Sequence, residues 1–203
     1  MSLSVLSTPG SPSRSPSRIP EVDGLRGLAI VLVMLWHYVA IVVEPPRHSV
    51  AAYAVSSLRL AWSGVDLFFV LSGFLIGGIL IDERTSPRYL ANFYRRRFFR
   101  IVPLYALVCG LFWAAVLLGG AKRYGVAGHW LFGDPLPWYS FPLFVQNAFI
   151  AIRGTFDPMP TGVTWSLAIE EQFYLTLPLL VRHLSRRRLV QVLATAALAA
   201  PVL

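Results

Sequence analysis

An ionisable histidine lies inside an apolar stretch that is long enough to cross a membrane. The stretch covers residues 25–43, LRGLAIVLVMLWHYVAIVV, and Arg26 near its start is its only formal charge. As a helix it would be about 28 Å long, close to the hydrocarbon thickness of a bilayer. An ionisable side chain at that depth is costly and by default marks a functional site with a polar partner. His37 is therefore the first candidate functional residue.

Arg26 is the first polar partner to consider for His37. The two residues are eleven positions apart, which at about 100° per residue returns the side chain to within about 20° of the same helix face. Asp23 lies one helical turn before Arg26 and extends the same stripe. The pattern predicts a fixed cation near one membrane surface and a titratable base deeper in the membrane.

Composition indicates an integral membrane protein. The chain is 56% hydrophobic and only 14% of its residues are charged, whereas about a quarter are charged in a soluble domain. We expect an all-α, polytopic transmembrane bundle with about five spans. Residues 1–19, rich in Ser and Pro, are expected to form a disordered cytoplasmic tail. Residues 20–203 would be the N-terminal part of a longer membrane domain, since the sequence stops within an apolar stretch.

Arginine dominates the net charge of +8, and in a membrane protein such a bias first sets orientation. The basic segments 82–100 and 182–188 are therefore predicted to be cytoplasmic, together with the N-terminus. The predicted spans are residues 25–43, 60–81, 101–119 and 163–181, with a fifth beginning at Leu189. Residues 139–152 are short and partly polar, so we expect them to be re-entrant or interfacial, within an outer segment 120–162. Pro103 is placed in the first turn of the third span.

Acidic side chains inside the predicted spans need partners. Glu170 and Glu171 are adjacent in the fourth span, and Ser166, Glu170 and Tyr174 share one helix face. Glu171 projects about 100° away from that face. One interpretation is a polar cavity; the other is a structural pairing of both glutamates with arginines from neighbouring spans. Asp66, in the second span, also requires a partner or water.

The run NFYRRRFFRIVPLY alternates aromatic and basic residues before the third span. Arginines and aromatic rings at this position can anchor a helix at the lipid headgroups. Alternatively, Arg96, Arg97 and Arg100 bind an anionic ligand, because guanidinium groups match phosphate oxygens bidentately. Cys109 is the only cysteine, and the histidines lack metal-ligand spacing, so neither a disulfide nor a metal site is expected.

Four motifs, in order and covering about residues 20–203, resemble membrane acyltransferase family 3. They are Asp23-Gly-Leu-Arg-Gly followed by His37, Gly64-Val-Asp-Leu-Phe-Phe-Val-Leu-Ser-Gly-Phe, Arg97-Phe-Phe-Arg-Ile-Val-Pro, and Trp165-Ser-Leu-Ala-Ile-Glu-Glu-Gln-Phe-Tyr. The resemblance implies a domain of about ten helices, of which about half are present here. It also implies transfer of acyl groups, often acetyl, to hydroxyls of surface polysaccharides and similar acceptors.

The resemblance also implies roles for single residues. Arg26 and His37 match the family's essential pair, Arg97 and Arg100 match its basic motif at the cytoplasmic face, and Glu170 matches the acid of its Ser-Leu-x-x-Glu pattern. From the chemistry of acyl transfer we hypothesise that His37 is the base and that Arg26 stabilises charge on the donor or the oxyanion. Arg96, Arg97 and Arg100 would hold the phosphates of acyl-CoA arriving from the cytoplasm. Glu170 or Asp66 would orient His37, and the sequence does not decide between them. Asp23, Ser166 and Glu171 would support the site.

The sequence thus predicts an enzyme of the bacterial inner membrane. Its expected partners are the bilayer, acyl-CoA as donor substrate and a carbohydrate or glycolipid acceptor, with no bound cofactor and no nucleic acid. Two other functions stay open. Intramembrane His, Asp and Glu also form proton relays in transporters, and a non-catalytic membrane subunit is the other alternative if the chain ends at residue 203.

Overall fold

The computed structural model describes residues 20–199, and all regular structure in that part of the chain is helical. This confirms the all-α prediction, while the predicted tail of residues 1–19 lies outside the described residues. The α-helices of the described part are α1 (Pro20–Leu35), α2 (Val50–Leu58), α3 (Ser63–Asp82), α4 (Tyr89–Leu117), α5 (Gly120–Arg123), α6 (Gly125–Phe132), α7 (Gln146–Arg153), α8 (Met159–Gly162), α9 (Trp165–His183) and α10 (Arg186–Ala199).

Within residues 20–199, three helical stretches are long and apolar enough to cross a membrane: Pro20–Ala40, Val50–Asp82 and Tyr89–Leu117. They correspond to the first three predicted spans. The predicted fourth span corresponds to α9, whose two glutamates and Arg182 make it less apolar than these three. The chain divides into two compact units, with the boundary between Leu71 and Ser72 inside α3.

The first unit depends on a close approach between α1 and the start of α3. Ala29 is fully buried there. A Cβ atom at Gly64 would lie 2.7 Å from the Cβ of Leu32 and 2.8 Å from the carbonyl oxygen of Ala29. Only glycine therefore allows the two backbones to pack this closely.

Helix α4 begins at Tyr89, before the arginine run, so the prediction for Pro103 was wrong. Pro103 lies in the helix interior, because the aromatic and basic segment is itself helical and continues into the apolar part. The whole helix is about 44 Å long, which exceeds a hydrocarbon thickness of about 30 Å. Its basic first turns therefore extend beyond the apolar portion as a regular helix.

The second unit packs α3, α4, α9 and α10 around one apolar cluster. Its buried members are Ile76, Leu80, Tyr89, Phe93, Tyr174, Leu177, Val181 and Leu189. At one edge, the guanidinium of Arg84 donates to the carbonyl of Leu184 at 2.6 Å, and Arg182 donates to the carbonyl of Arg84. The two predicted cytoplasmic segments, 82–100 and 182–188, therefore meet at the same end of this unit.

Residues 139–152 do not form a continuous helix, consistent with a segment that does not span the membrane. A 3-10 turn, Trp138–Ser140, precedes a tight bend, and the eight-residue α7 follows. The bend leaves carbonyl groups without helical partners, and neighbouring side chains satisfy them. Tyr105 donates to the carbonyl of Phe141 at 3.1 Å, and Gln172 donates to the carbonyl of Phe144 at 2.7 Å. Irregular backbone at such a place is stable only when protein groups satisfy it in this way.

The connection before α8 is fixed by a buried carboxylate. Asp157 accepts hydrogen bonds from the backbone N–H of Leu136, at 2.7 Å, and from the hydroxyl of Thr161. Burial raises the pKa of Asp157, and these two hydrogen bonds oppose the shift. The buried Asp157 side chain thus holds the loop in place through hydrogen bonds to protein groups.

The contact at Gly64 generates a stability prediction. Gly64→Ala should destabilise the protein by about 1–3 kcal/mol, because the new methyl group overlaps atoms of α1. Gly78→Ala, in the same helix, is the matched control, since a Cβ there meets nothing within 4 Å. Thermal unfolding in detergent micelles compares the two, and equal melting temperatures for both variants would contradict the close packing.

Candidate active site

His37 lies in a short π-helical stretch, Trp36–Ala40, at the end of the helical stretch Pro20–Ala40. The N–H of Ile41 bonds to the carbonyl of Trp36, five residues back, at 3.2 Å. Such π turns inside helices are frequent at functional sites. Trp36 also packs edge-on against Trp62, with ring centroids 5.4 Å apart, which fixes the backbone next to the histidine.

A backbone carbonyl determines the tautomer of His37. Its Nδ1 lies 2.8 Å from the carbonyl oxygen of Val33. Because a carbonyl only accepts, Nδ1 carries the proton and a neutral imidazole presents Nε2 as its basic nitrogen. Gly64 abuts this same turn of α1, since a Cβ there would lie 3.1 Å from the nitrogen of Val33. The tight packing of the first unit thus supports the residue that orients the histidine.

The other charged candidates of the first unit differ in exposure. Arg26 is partly buried, whereas Asp23 and Asp66 are exposed. The carbonyl of Val33 is a hydrogen-bond partner of His37, and the orienting role expected of Glu170 or Asp66 stays a prediction.

In the second unit, Glu170 is the centre of a polar cluster. Its Oε1 accepts a hydrogen bond from the hydroxyl of Ser72 at 3.0 Å and another from the hydroxyl of Tyr174. The two hydroxyl oxygens are themselves 3.2 Å apart. Tyr174 is only 2% exposed, so water does not replace these contacts. The carboxylate is held in one position by two neutral donors.

Arg97 extends this cluster. Its guanidinium carbon lies 4.7 Å from the centroid of the Tyr174 ring and 5.7 Å from that of Phe93. One of its nitrogens is 3.5 Å from the Tyr174 hydroxyl, a long and weak hydrogen bond. A guanidinium against an aromatic face gains about 0.5–2 kcal/mol. Tyr174 therefore contacts the arginine with its ring and the carboxylate with its hydroxyl.

Beside Arg97 lies a cavity of about 270 Å³. Its lining residues are Ile79, Glu83, Phe93, Arg96, Arg97 and Arg100. The three arginines that the sequence singled out thus face one space, because positions 93, 96, 97 and 100 share a face of α4. Arg95, in the same run, is exposed and does not line the cavity. A cavity with three guanidinium groups and two apolar walls is suited to an anion attached to an organic chain.

The remaining predicted side chains have other positions. Ser166 donates to the carbonyl of Val163, 3.4 Å away, in the turn that precedes α9. Glu171 Oε1 is buried and has no hydrogen-bond partner within residues 20–199, while Arg97 lies close enough to interact electrostatically with the Glu171 carboxyl group. The described part of the chain contains no group of three or more His, Cys, Asp or Glu side chains able to hold a metal ion.

Two side chains of the cluster and one charged side chain of the cavity, Glu83, are not among the predicted site residues. Tyr174 was grouped with Glu170 by helix periodicity but given no role. Ser72 is part of the motif that begins at Gly64. Its hydroxyl group in an otherwise apolar helix was the sequence feature that could have indicated a role in the site. Glu83 gave no signal, because its contact with Arg96 joins residues thirteen positions apart through a loop.

Comparison with known proteins identifies the family. The family model described as "Acyltransferase domain" matches residues 19–202. The chain belongs to membrane acyltransferase family 3. It is 34% identical over 181 residues to the O-acetyltransferase OatA of Staphylococcus aureus, covering 85% of this chain and 26% of that protein. It is 30% identical over 173 residues to the peptidoglycan O-acetyltransferase OatA of Listeria monocytogenes, covering 79% of this chain and 24% of that protein.

The chain therefore spans about a quarter of the length of these relatives. No solved structure matches it. Family membership and the three apolar helices agree that this is a membrane-embedded protein.

The Glu170 cluster predicts unequal effects of two tyrosine substitutions. Tyr174→Phe should lower the free energy of unfolding by about 1–3 kcal/mol, because it removes a donor from a partly buried carboxylate. Tyr94→Phe is the matched control, since the Tyr94 hydroxyl donates to the backbone carbonyl of Leu175 at 3.0 Å on an exposed surface. It should cost less than about 1 kcal/mol. Chemical denaturation in detergent measures the free energy of unfolding of both variants. Equal losses of stability would contradict the greater structural importance of the Tyr174 hydroxyl.

Proposed function

We propose that this protein is an integral-membrane O-acyltransferase that moves an acyl group, in the first instance acetyl, from acyl-CoA to a hydroxyl of a cell-surface carbohydrate or glycolipid. The observation that carries the proposal is the arginine-lined cavity beside the Glu170 cluster. A cavity with three cationic side chains favours a phosphate-bearing ligand, and acyl-CoA is the phosphate-bearing donor of this chemistry.

The proposed reaction begins with a base removing the proton of the acceptor hydroxyl. His37 is the candidate, because its Nδ1–H is bound to Val33 and Nε2 is the nitrogen able to take the proton. The alcohol oxygen then bonds to the thioester carbonyl carbon, the carbon–sulfur bond breaks, and the leaving thiolate takes the proton from the imidazolium. Arg26, on the same helix, is proposed to stabilise negative charge on the donor or on the oxyanion.

The donor would be held by its phosphate groups at the cavity. Arg97 and Arg100 are proposed to bind phosphate oxygens, with Phe93 and Ile79 against the apolar part of the ligand. The cavity is small relative to a drug-sized pocket of roughly 300–1,000 Å³. It is therefore proposed to take a phosphate-bearing part of coenzyme A rather than the whole molecule. Glu170 would act through Tyr174, by fixing the side chain against which Arg97 packs.

The acceptor is proposed from chemistry and from the relatives together. Acyl transfer to an alcohol requires a hydroxyl acceptor, and the name of the Listeria relative specifies peptidoglycan. A surface polysaccharide or glycolipid fits this class. We propose the inner membrane as the location, with the N-terminus and the basic segments on the cytoplasmic side. The contact between Arg84 and Leu184 supports this topology, since it joins both basic segments at one end.

Transfer of label from acetyl-CoA tests the proposal. Membranes containing the protein are incubated with radiolabelled acetyl-CoA and purified peptidoglycan, and alkali-labile label on the polymer is counted. His37→Ala should lower the rate by about 10²–10⁴-fold, the usual contribution of a general base. His129→Ala is the matched control, because His129 is exposed in α6 and has no proposed role.

The outcomes separate the candidate functions. Unchanged transfer by a His37→Ala variant that inserts normally would remove this residue from the mechanism. Absence of label on peptidoglycan, with label on a glycolipid, would reassign the acceptor. Absence of any acyl transfer, together with solute-driven proton flux in vesicles, would contradict the enzyme proposal and favour a transporter.

A further inference from the structure

Among the described residues, one carboxylate lines the arginine cavity. Glu83 follows the end of α3, and both of its oxygens lie 3.2 Å from the same nitrogen of Arg96. Arg96 also donates from Nε to the carbonyl of Asn92, at 3.3 Å, which fixes the other end of its guanidinium. The cavity thus contains an acid already bound to one of its three arginines.

The pair is accessible to solvent, and this determines its strength. The Arg96 side chain is 62% exposed and that of Glu83 is 36% exposed. Ion pairs at such exposure contribute about 0–1 kcal/mol, because water screens the attraction. A phosphate is a stronger competitor for a guanidinium than one exposed carboxylate, since it offers more charge and more acceptor oxygens.

The charges around the cavity also favour competition between a bound phosphate and Glu83. Three arginines and one glutamate of the described chain line the space. An anionic ligand is attracted by the arginines and repelled by Glu83, and it has to share Arg96 with that carboxylate. The Glu170 cluster, by contrast, contacts Arg97 through Tyr174.

We propose that Glu83 weakens the binding of phosphate groups in this cavity. It does so as an internal competitor: a bound phosphate takes the place of the carboxylate on Arg96. The arrangement keeps donor binding reversible, so that coenzyme A leaves after the acyl group has been transferred. The inference rests on the proposed function, because it assumes that the cavity receives the phosphates of acyl-CoA.

Equilibrium binding of radiolabelled coenzyme A to membranes containing the protein tests the inference. Glu83→Gln should tighten binding by about three- to tenfold, because competition and repulsion are both removed. Asp82→Asn is the matched control: it removes one negative charge at the neighbouring position, which does not line the cavity. It should change binding less than about twofold, since exposed charges at a distance are screened.

Pantetheine, which has the organic arm of coenzyme A but no phosphate, provides the second probe. Its binding should be the same in the wild-type protein and in Glu83→Gln, because the acid acts on phosphate charge. A gain for pantetheine equal to that for coenzyme A would overturn the inference. So would equal effects of Glu83→Gln and Asp82→Asn, or weaker binding by Glu83→Gln.

These results are distinguishable from failure of the proposed function. If wild-type membranes bind coenzyme A and transfer acetyl groups, but Glu83→Gln behaves like Asp82→Asn, only the role of Glu83 is wrong. If the wild-type protein, inserted normally, neither binds coenzyme A nor transfers acetyl groups, the donor site itself is wrong and the inference is overturned with it.

Discussion

The second unit is organised around a carboxylate placed among apolar helices. In a low-dielectric interior an acidic group is stable only with donors close to it, and Glu170 has two, Ser72 and Tyr174. The same tyrosine supplies the ring against which Arg97 packs. Satisfying the acid therefore also sets the position of a cation at the edge of the arginine cavity. Structure and proposed chemistry depend on the same few contacts.

In the first unit, the ionisable group is a histidine, and fewer polar groups surround it. A histidine within an apolar helix needs one nitrogen bound if the other is to act as a base, and the carbonyl of Val33 provides that bond. The π turn and the close approach at Gly64 are backbone features. A backbone carbonyl as the partner of the imidazole differs from the carboxylates common around histidines.

Composition and helical periodicity predicted part of the local structure. Apolar length indicated the first three spans, and the aromatic and basic run indicated Arg96, Arg97 and Arg100 as candidates for binding an anion. The start of α4 and the position of Pro103 were not predictable, because an amphipathic helix can continue into an apolar one without any signal between them. Contacts between segments that are distant in the sequence could not be predicted either. Ser72 and Glu170 are 98 positions apart, and only packing brings them together.

The proposed chemistry requires above all that the arginine cavity receives the phosphate end of the acyl donor. Photoaffinity labelling with a light-activated coenzyme A analogue measures this occupancy, with labelled residues mapped by mass spectrometry and excess coenzyme A as competitor. We expect competable label within residues 79–100, on the cavity residues of α3, the following loop and α4. Competable label confined to other parts of the chain would show that the donor binds elsewhere and would refute the cavity's assigned role.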